Sequence, residues 1–402
     1  MPTFRASWVL PITGPPLRNG WVAVEGGVIA GIGGGRCAPV TDLGAVAVLP
    51  ALVNAHTHLE LSYLAGVVPP AAQFLDWIQA VMAARRSYPD ARDRVIVSAA
   101  RTAVAAARAS GTGLVGDVSN TLVTVPLLQE AGMPAHVFYE LLGFNADDPA
   151  GRVRTAREAI DGLLEPHGDV RVSLAPHAPY SVSPALFGAL RRDLDAHPDG
   201  VSTVHLSESG DEVEFIARGS GAWRELLTGL NAWSNAWQPP GISPVAYLAD
   251  LGFLDRRVLA VHAVQCGDDD LERLRALGTT VVSCPRSNRH VGVGDAPLER
   301  FYAAGVDVAF GTDSLASVAD LNMFAELAAA RRLAPRVAAR RLLESGTRSG
   351  ARALGFAGMF GSIEPGKRAA LVAVRLPAHV DDVEEYVLSG IEPDAVTWLD
   401  TR

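Results

Sequence analysis

The sequence predicts an α/β fold: a (β/α)8 barrel of TIM type with a small composite β-sandwich contributed by the two chain ends. Three observations predict it. Eight short apolar runs alternate with stretches of helical period through the middle of the chain. Polar side chains follow several of those runs at the same end. Segments of strand character stand at both termini.

The eight runs are 45–54, 114–118, 135–142, 170–175, 201–206, 258–264, 279–284 and 306–310. Ala-, Leu- and Arg-rich stretches lie between most of them, for example 94–109, 150–164 and 268–276. This alternation argues for βα units and a parallel sheet. Eight units favour a closed barrel over an open doubly wound sheet. The open sheet also lacks its usual mark, a GxGxxG turn leading from a first strand into a helix. The run Gly31-Ile32-Gly33-Gly34-Gly35 is glycine-rich, but it stands in a β-hairpin context and reads as a turn. At the N-terminus SWVLPI, GWVAVEGGVIAGIG and AVAVLP read as strands, and near the C-terminus so do GSIEPGKRAALVAVRL and AVTWLDT. The expected organisation is a composite sandwich over 1–47 and 357–402, and a barrel over 48–356.

A chain of 402 residues is long enough for both parts. Hydrophobic residues make up 49% and charged residues 20%, an ordinary globular balance. The net charge of −9 repels phosphate backbones, so no nucleic-acid partner is expected. No basic leader followed by an apolar run opens the chain, and no apolar stretch has membrane-spanning length. A cytoplasmic enzyme with no membrane partner is expected, and a homo-oligomer is compatible with the sequence. Cys37, Cys266 and Cys284 form neither a disulfide framework nor a CxxC knuckle, so they read as reduced thiols. Lys367 is the only lysine among 35 basic residues, so basic function falls to arginine and histidine.

The chemistry is carried where the runs end. The first ends in Asn54-Ala55-His56-Thr57-His58, and alternate residues of a strand share a face, so His56 and His58 project together. The fourth ends in Pro176-His177-Ala178-Pro179-Tyr180, the fifth in His205-Leu206-Ser207-Glu208, the sixth in His262 and the eighth in Gly311-Thr312-Asp313-Ser314. Five of the ten histidines stand at this one end, which ordinary core packing does not explain. His136, His167, His197, His290 and His379 read as structural. His56, His58, His205 and Asp313 offer nitrogens and a carboxylate, the donor set of a catalytic zinc with an open position. One divalent ion is expected, zinc first, with iron or manganese as alternatives. Such an ion lowers the pKa of a water to about 7. Glu208 is placed as general acid/base, and His262 to hold the attacking water and stabilise developing charge.

Together, HTH, HLSE, the sixth-run histidine, SCPRSN and GTDS resemble the amidohydrolase superfamily, over nearly the whole chain. Its two-metal members often use a carboxylated lysine within the barrel, and Lys367 lies outside it, so that route is closed. Glu140 stands near the place where some relatives bridge a second metal with glutamate. The favoured reading is the mononuclear deaminase and chlorohydrolase branch. NAHTHLELS, HLSESGDEVEF, PVAYLADLG, CPRSN and GTDSLAS resemble aminodeoxyfutalosine deaminases of an alternative menaquinone route. The PHAPYSVS stretch is shared with adenosine and S-adenosylhomocysteine deaminases, where the equivalent of His177 contacts the purine.

The resemblance implies hydrolytic removal of a purine 6-amino group, with Glu208 protonating the ring. Arg286 is the candidate for a substrate carboxylate. Glu60 is the candidate for ribose hydroxyls, and Trp77 for the pocket wall. Ala370 replaces a common aspartate, and PRSNRHV departs from the usual text after the seventh run. The rival readings are a guanine, cytosine or chlorinated-triazine hydrolase on the same site and, more remotely, a metal-binding scaffold without activity.

Overall fold

The computed structural model describes residues 2–35, 40–163 and 168–399; Cys37 and His167 lie outside them. Strands and helices alternate through the middle of the chain. Eight strands form two all-parallel sheets: β1 (Leu52–Thr57), β2 (Thr112–Ser119), β3 (Ala135–Leu141) and β4 (Val170–Pro176) in one, and β5 (Ser202–Leu206), β6 (Val258–His262), β7 (Thr280–Ser283) and β8 (Val308–Phe310) in the other. β1, β2, β5, β6, β7 and β8 are buried along their whole length, as expected of strands covered on both faces.

Hydrogen bonds cross both seams between the sheets. At the β4–β5 seam, Ser202 Oγ donates to the Leu174 carbonyl, and His205 N donates to the His177 carbonyl at 2.9 Å. At the β8–β1 seam, Asp313 N donates to the His56 carbonyl at 3.0 Å. Gly311 makes this second approach possible, because a Cβ there would lie 2.6 Å from the His56 carbonyl oxygen.

Helices connect the strands, and the sequence starts them. Asp93 accepts from Val95 N to cap Arg94–Ala109, and Ser183 and Ser243 cap helices that begin with Pro184 and Pro244. Among the described residues no helix is long and apolar enough to cross a membrane.

The chain ends build two further sheets. One holds Thr3–Arg5, Gly20–Glu25, Val28–Gly34 and Thr41–Asp42; the other holds Trp8–Val9, Leu17–Arg18, Val46–Pro50, Leu371–Arg375 and Val396–Trp398. Phe4, Val22, Val24 and Ile29 from the first share one apolar cluster with Val9, Val48, Leu371 and Ala373 from the second.

Two expectations need correction. The run 45–54 is not one strand. It divides at Pro50, where Val46–Pro50 pairs antiparallel with Leu371–Arg375 and the chain passes directly into β1. The glycines 31–34 are not a turn either. They lie in the strand Val28–Gly34, where Gly33 faces Trp21 of the paired strand. A Cβ on Gly33 would meet the Trp21 ring at 2.6 Å, so the glycine serves an aromatic packing across the hairpin.

Candidate active site

The parallel strands deliver their polar ends to one place. His56 lies within β1 and His58 just beyond it, with ring centroids 4.9 Å apart and planes crossed at 86°. His205 comes from β5, and its Nε2 stands 3.4 Å from His58 Nε2. Asp313 follows β8, with Oδ1 at 3.8 Å from His56 Nε2 and 3.6 Å from His58 Nε2. His56, His58 and His205 converge with one ligand atom each within 4.8 Å, and so do His56, His262 and Asp313.

His56 Nε2 is buried with no hydrogen-bond partner. A buried ring nitrogen left bare beside a carboxylate is costly, and a divalent cation resolves it, so the residues present fit a metal. Burial, reinforced by the neighbouring His58, His205 and His262, pushes His56 well below the ordinary histidine range, and burial chiefly brings His205 down to about 3. Neutral imidazole is the form that ligates.

Each candidate ligand is held from behind. His205 Nδ1 lies 2.9 Å from the His177 carbonyl and 3.5 Å from Glu140 Oε1. Asp313 Oδ2 accepts from Ser287 Oγ at 2.6 Å, and Oδ1 accepts from Ser314 N at 2.7 Å. Burial opposes ionisation of Asp313, but the surrounding histidines and Ser287 win and lower its pKa. His262 Nδ1 donates to Asn288 Oδ1 at 2.8 Å, leaving Nε2 at 3.5 Å from Glu208 Oε1. Burial, with Asp313 and Glu212 nearby, raises the pKa of Glu208 well above the usual carboxylate range. Ser207, His262, Ala263 and Asp313 all have positive φ, between 48° and 72°. Left-handed backbone at four non-glycine positions concentrates strain where the chemistry sits.

These groups open into a cavity of about 500 Å³. His58, His205, Glu208, His262 and Asp313 line it, with His177, Trp77 and Glu140. Its walls are apolar: Phe74, Ile78, Val81 and Met82 from the helix Phe74–Arg85, and Trp223, Leu226 and Leu227 from the helix Ala222–Gly229. Tyr180 stacks on Trp223 at 3.7 Å between centroids.

Residues 47–397 match the amidohydrolase family. The chain belongs to that family. An aminodeoxyfutalosine deaminase of Deinococcus radiodurans is 34% identical over 318 residues, spanning 77% of this chain and 73% of the relative. A 5-methylthioadenosine/S-adenosylhomocysteine deaminase of Moorella thermoacetica is 29% identical over 414 residues, spanning 96% and 90%. The crystal structure of an adenosine deaminase from Xanthomonas campestris with bound zinc has a TM-score of 0.85 at 28% identity, covering 99% of this chain and 91% of that one. Structural neighbours of this kind have the TIM-barrel type of amidohydrolase fold, and this amidohydrolase is an aminohydrolase enzyme.

Two expected binding residues are placed elsewhere. Glu60 is buried outside the cavity lining and accepts from Ser119 Oγ, Asn120 N, Thr121 N and Thr121 Oγ1, so it pins the turn after β2. Arg286 is bound to buried Glu326 and to Asp320 and borders a different hollow, so its donors are spent on packing the seventh-strand loop. Sequence reasoning also missed residues that do stand at the amidohydrolase site. Ser287 and Asn288 lay inside the SCPRSN text, and Glu212 inside HLSESGDEVEF, so the motifs contained them without giving their roles. Arg85 and Trp223 sit on helices of ordinary period, where no local pattern tells a cavity wall from core.

Proposed function

We propose that this amidohydrolase is a purine-nucleoside deaminase, acting on aminodeoxyfutalosine within an alternative menaquinone route. The observation that carries the reading is the buried Glu208 in the cavity lining, its Oε1 3.5 Å from His262 Nε2. His56, His58, His205 and Asp313 would hold one divalent ion, zinc first. When bound, the ion lowers the pKa of a water toward about 7. Glu140, His177 and His205 also bring one ligand atom each within 4.8 Å, but His205 Nδ1 is 2.9 Å from the His177 carbonyl, so the reading we propose keeps to one ion.

The chain's own residues do the rest. His177 and Trp77 orient the purine. Glu208 passes a proton to the ring nitrogen as water adds at C6. His262 Nε2, left as an acceptor by the Asn288 contact, holds that water in line. Glu208, reprotonated by that water, hands this proton to the amino group; the C6–N bond breaks, ammonia leaves, and the last proton on the water-derived oxygen returns to Glu208 as the C6 carbonyl forms. The framework we propose for this is a closed (β/α)8 barrel over 48–356, with 1–47 and 357–402 as a composite sandwich. The deaminase relatives in both substrate classes support the reaction, and the Deinococcus relative supports the substrate.

The test is ammonia release by zinc-loaded protein from aminodeoxyfutalosine, adenosine, S-adenosylhomocysteine, guanine and cytosine in parallel. We expect aminodeoxyfutalosine to be preferred. Glu208→Gln should lose about 10²- to 10⁴-fold in kcat while keeping its metal content. Turnover of none of these rings by metal-loaded protein refutes the deaminase reading.

A further inference from the structure

The cavity wall has one cationic side chain among the described residues that line it, Arg85. It ends a helical face made by Phe74, Trp77, Ile78, Val81 and Met82, at the three- and four-residue spacings that bring side chains to one side. The face therefore runs from apolar to cationic. The reacting groups are buried, with Glu208 4% and Asp313 6% exposed, whereas the Arg85 side chain is 37% exposed. Arg85 thus marks the outer end of the cavity, and the Glu208–His262 pair its floor.

Its donors are mostly free for a ligand. A guanidinium carries five N–H donors in a planar fork. Here Nη1 reaches Asn120 Oδ1 at 3.2 Å and Nη2 reaches Glu60 Oε1 at 3.5 Å. Glu60 is already served by four shorter contacts, so the fifth is weak and aims the fork more than it occupies it. Asn120 in turn donates to Glu140 Oε2 at 2.8 Å, and Glu140 reaches His205, so a polar edge joins Arg85 to the floor of an otherwise apolar slot.

We propose that Arg85 is the specificity residue of this cavity: it binds a carboxylate carried at the far end of an apolar, aromatic substituent on the nucleoside. The inference rests on the deaminase reading and narrows it. The purine lies on the floor, the substituent fills the slot between the two helices, and the carboxylate closes a charge-assisted fork on Arg85. A neutral methylthio group would leave the slot part-filled and the arginine unused.

Two substrates decide it: aminodeoxyfutalosine and the same nucleoside with its carboxylate converted to a carboxamide. The wild type should prefer the carboxylate. Arg85→Met should shrink that preference in kcat/KM by about 10- to 100-fold, chiefly through KM, the scale of one charge-assisted hydrogen bond. Arg85→Lys, which keeps the charge but not the fork, should retain part of it. An equal loss on both substrates would make Arg85 a packing residue and overturn the proposal, as would a preference that Arg85→Met leaves intact. Failure of the deaminase reading itself looks different: the wild type then releases ammonia from neither substrate, before any variant is made, and the Arg85 assignment falls with it.

Discussion

His136 shows what a histidine does here when the chemistry does not use it. It is 2% exposed on β3, with Nδ1 at 3.1 Å from the Leu354 carbonyl and Nε2 at 2.8 Å from Ser173 Oγ. Burial lowers its pKa from 6.5 to about 3. The folded protein therefore binds fewer protons than the unfolded chain between those values. The stability this group contributes is complete above pH 6.5 and drains away as pH falls toward 3. We expect the unfolding free energy of a His136→Gln variant, measured by denaturant titration, to depend less on pH over that window. The difference in slope from wild type should approach about 1.4 kcal/mol per pH unit. Parallel slopes would mean that the site does not keep His136 neutral. Residues such as this one, and the five histidines at the strand ends, were legible because position along an alternating pattern separates them. The partners of Glu60 and Arg286 were not legible for the opposite reason: proximity to a motif does not reveal whether a charge is already paired from another element.

At the scale of elements, the turn after β5 shows how a catalytic group is aimed. Ser207 takes φ 51°, and the chain then enters the helix Gly210–Arg218. Glu212, fully buried in that helix's first turn, accepts from Ser207 N at 2.8 Å and Glu208 N at 2.9 Å. One carboxylate thus ties the helix back onto the strained turn and sets where Glu208 points. Glu212→Ala strips both amides of their partner, at a cost of about 1–3 kcal/mol for each buried group left unpaired. We expect a lower melting temperature together with a fall in kcat that exceeds any rise in KM, because positioning is lost more than binding. A destabilised variant with unchanged kcat would show that Glu208 is aimed by something else. The sequence displayed HLSESGDEVEF as one string, but nothing local says that its last acidic residues serve different masters. Trp21 and Gly33 make the same point for strands: the glycine reads as a turn until the partner strand is known, because the demand for it comes from across the hairpin.

For the molecule as a whole, the alternation of strands and the meeting of the two chain ends were readable, but the particular residues that lock distant segments together were not. The break of the run 45–54 at Pro50 is one case, since a strand from near the C-terminus captures its first half. Asn54 is another. It lies fully buried in β1 and bonds the segment after β8 twice: Nδ2 donates to Thr312 Oγ1 at 2.7 Å, and Oδ1 accepts from Thr312 N at 3.0 Å. The next residue, Asp313, donates its own amide to the His56 carbonyl. Asn54 therefore stitches the β8–β1 seam one residue from a candidate metal ligand, and ties global stability to the geometry of the site. Asn54→Ala removes both bonds and leaves Thr312 N without a partner, for a loss of about 2–4 kcal/mol. The same change frees Asp313 to drift from His56 and His58, so zinc affinity in a competitive chelator titration should fall about 10- to 100-fold, the range found when groups that orient metal ligands are lost. Both effects should appear together, and added zinc should recover part of the melting temperature by mass action. If Asn54→Ala melts early but binds zinc as tightly as wild type, the seam supports the fold alone, and Asp313 owes its position to Ser287 and Ser314 instead.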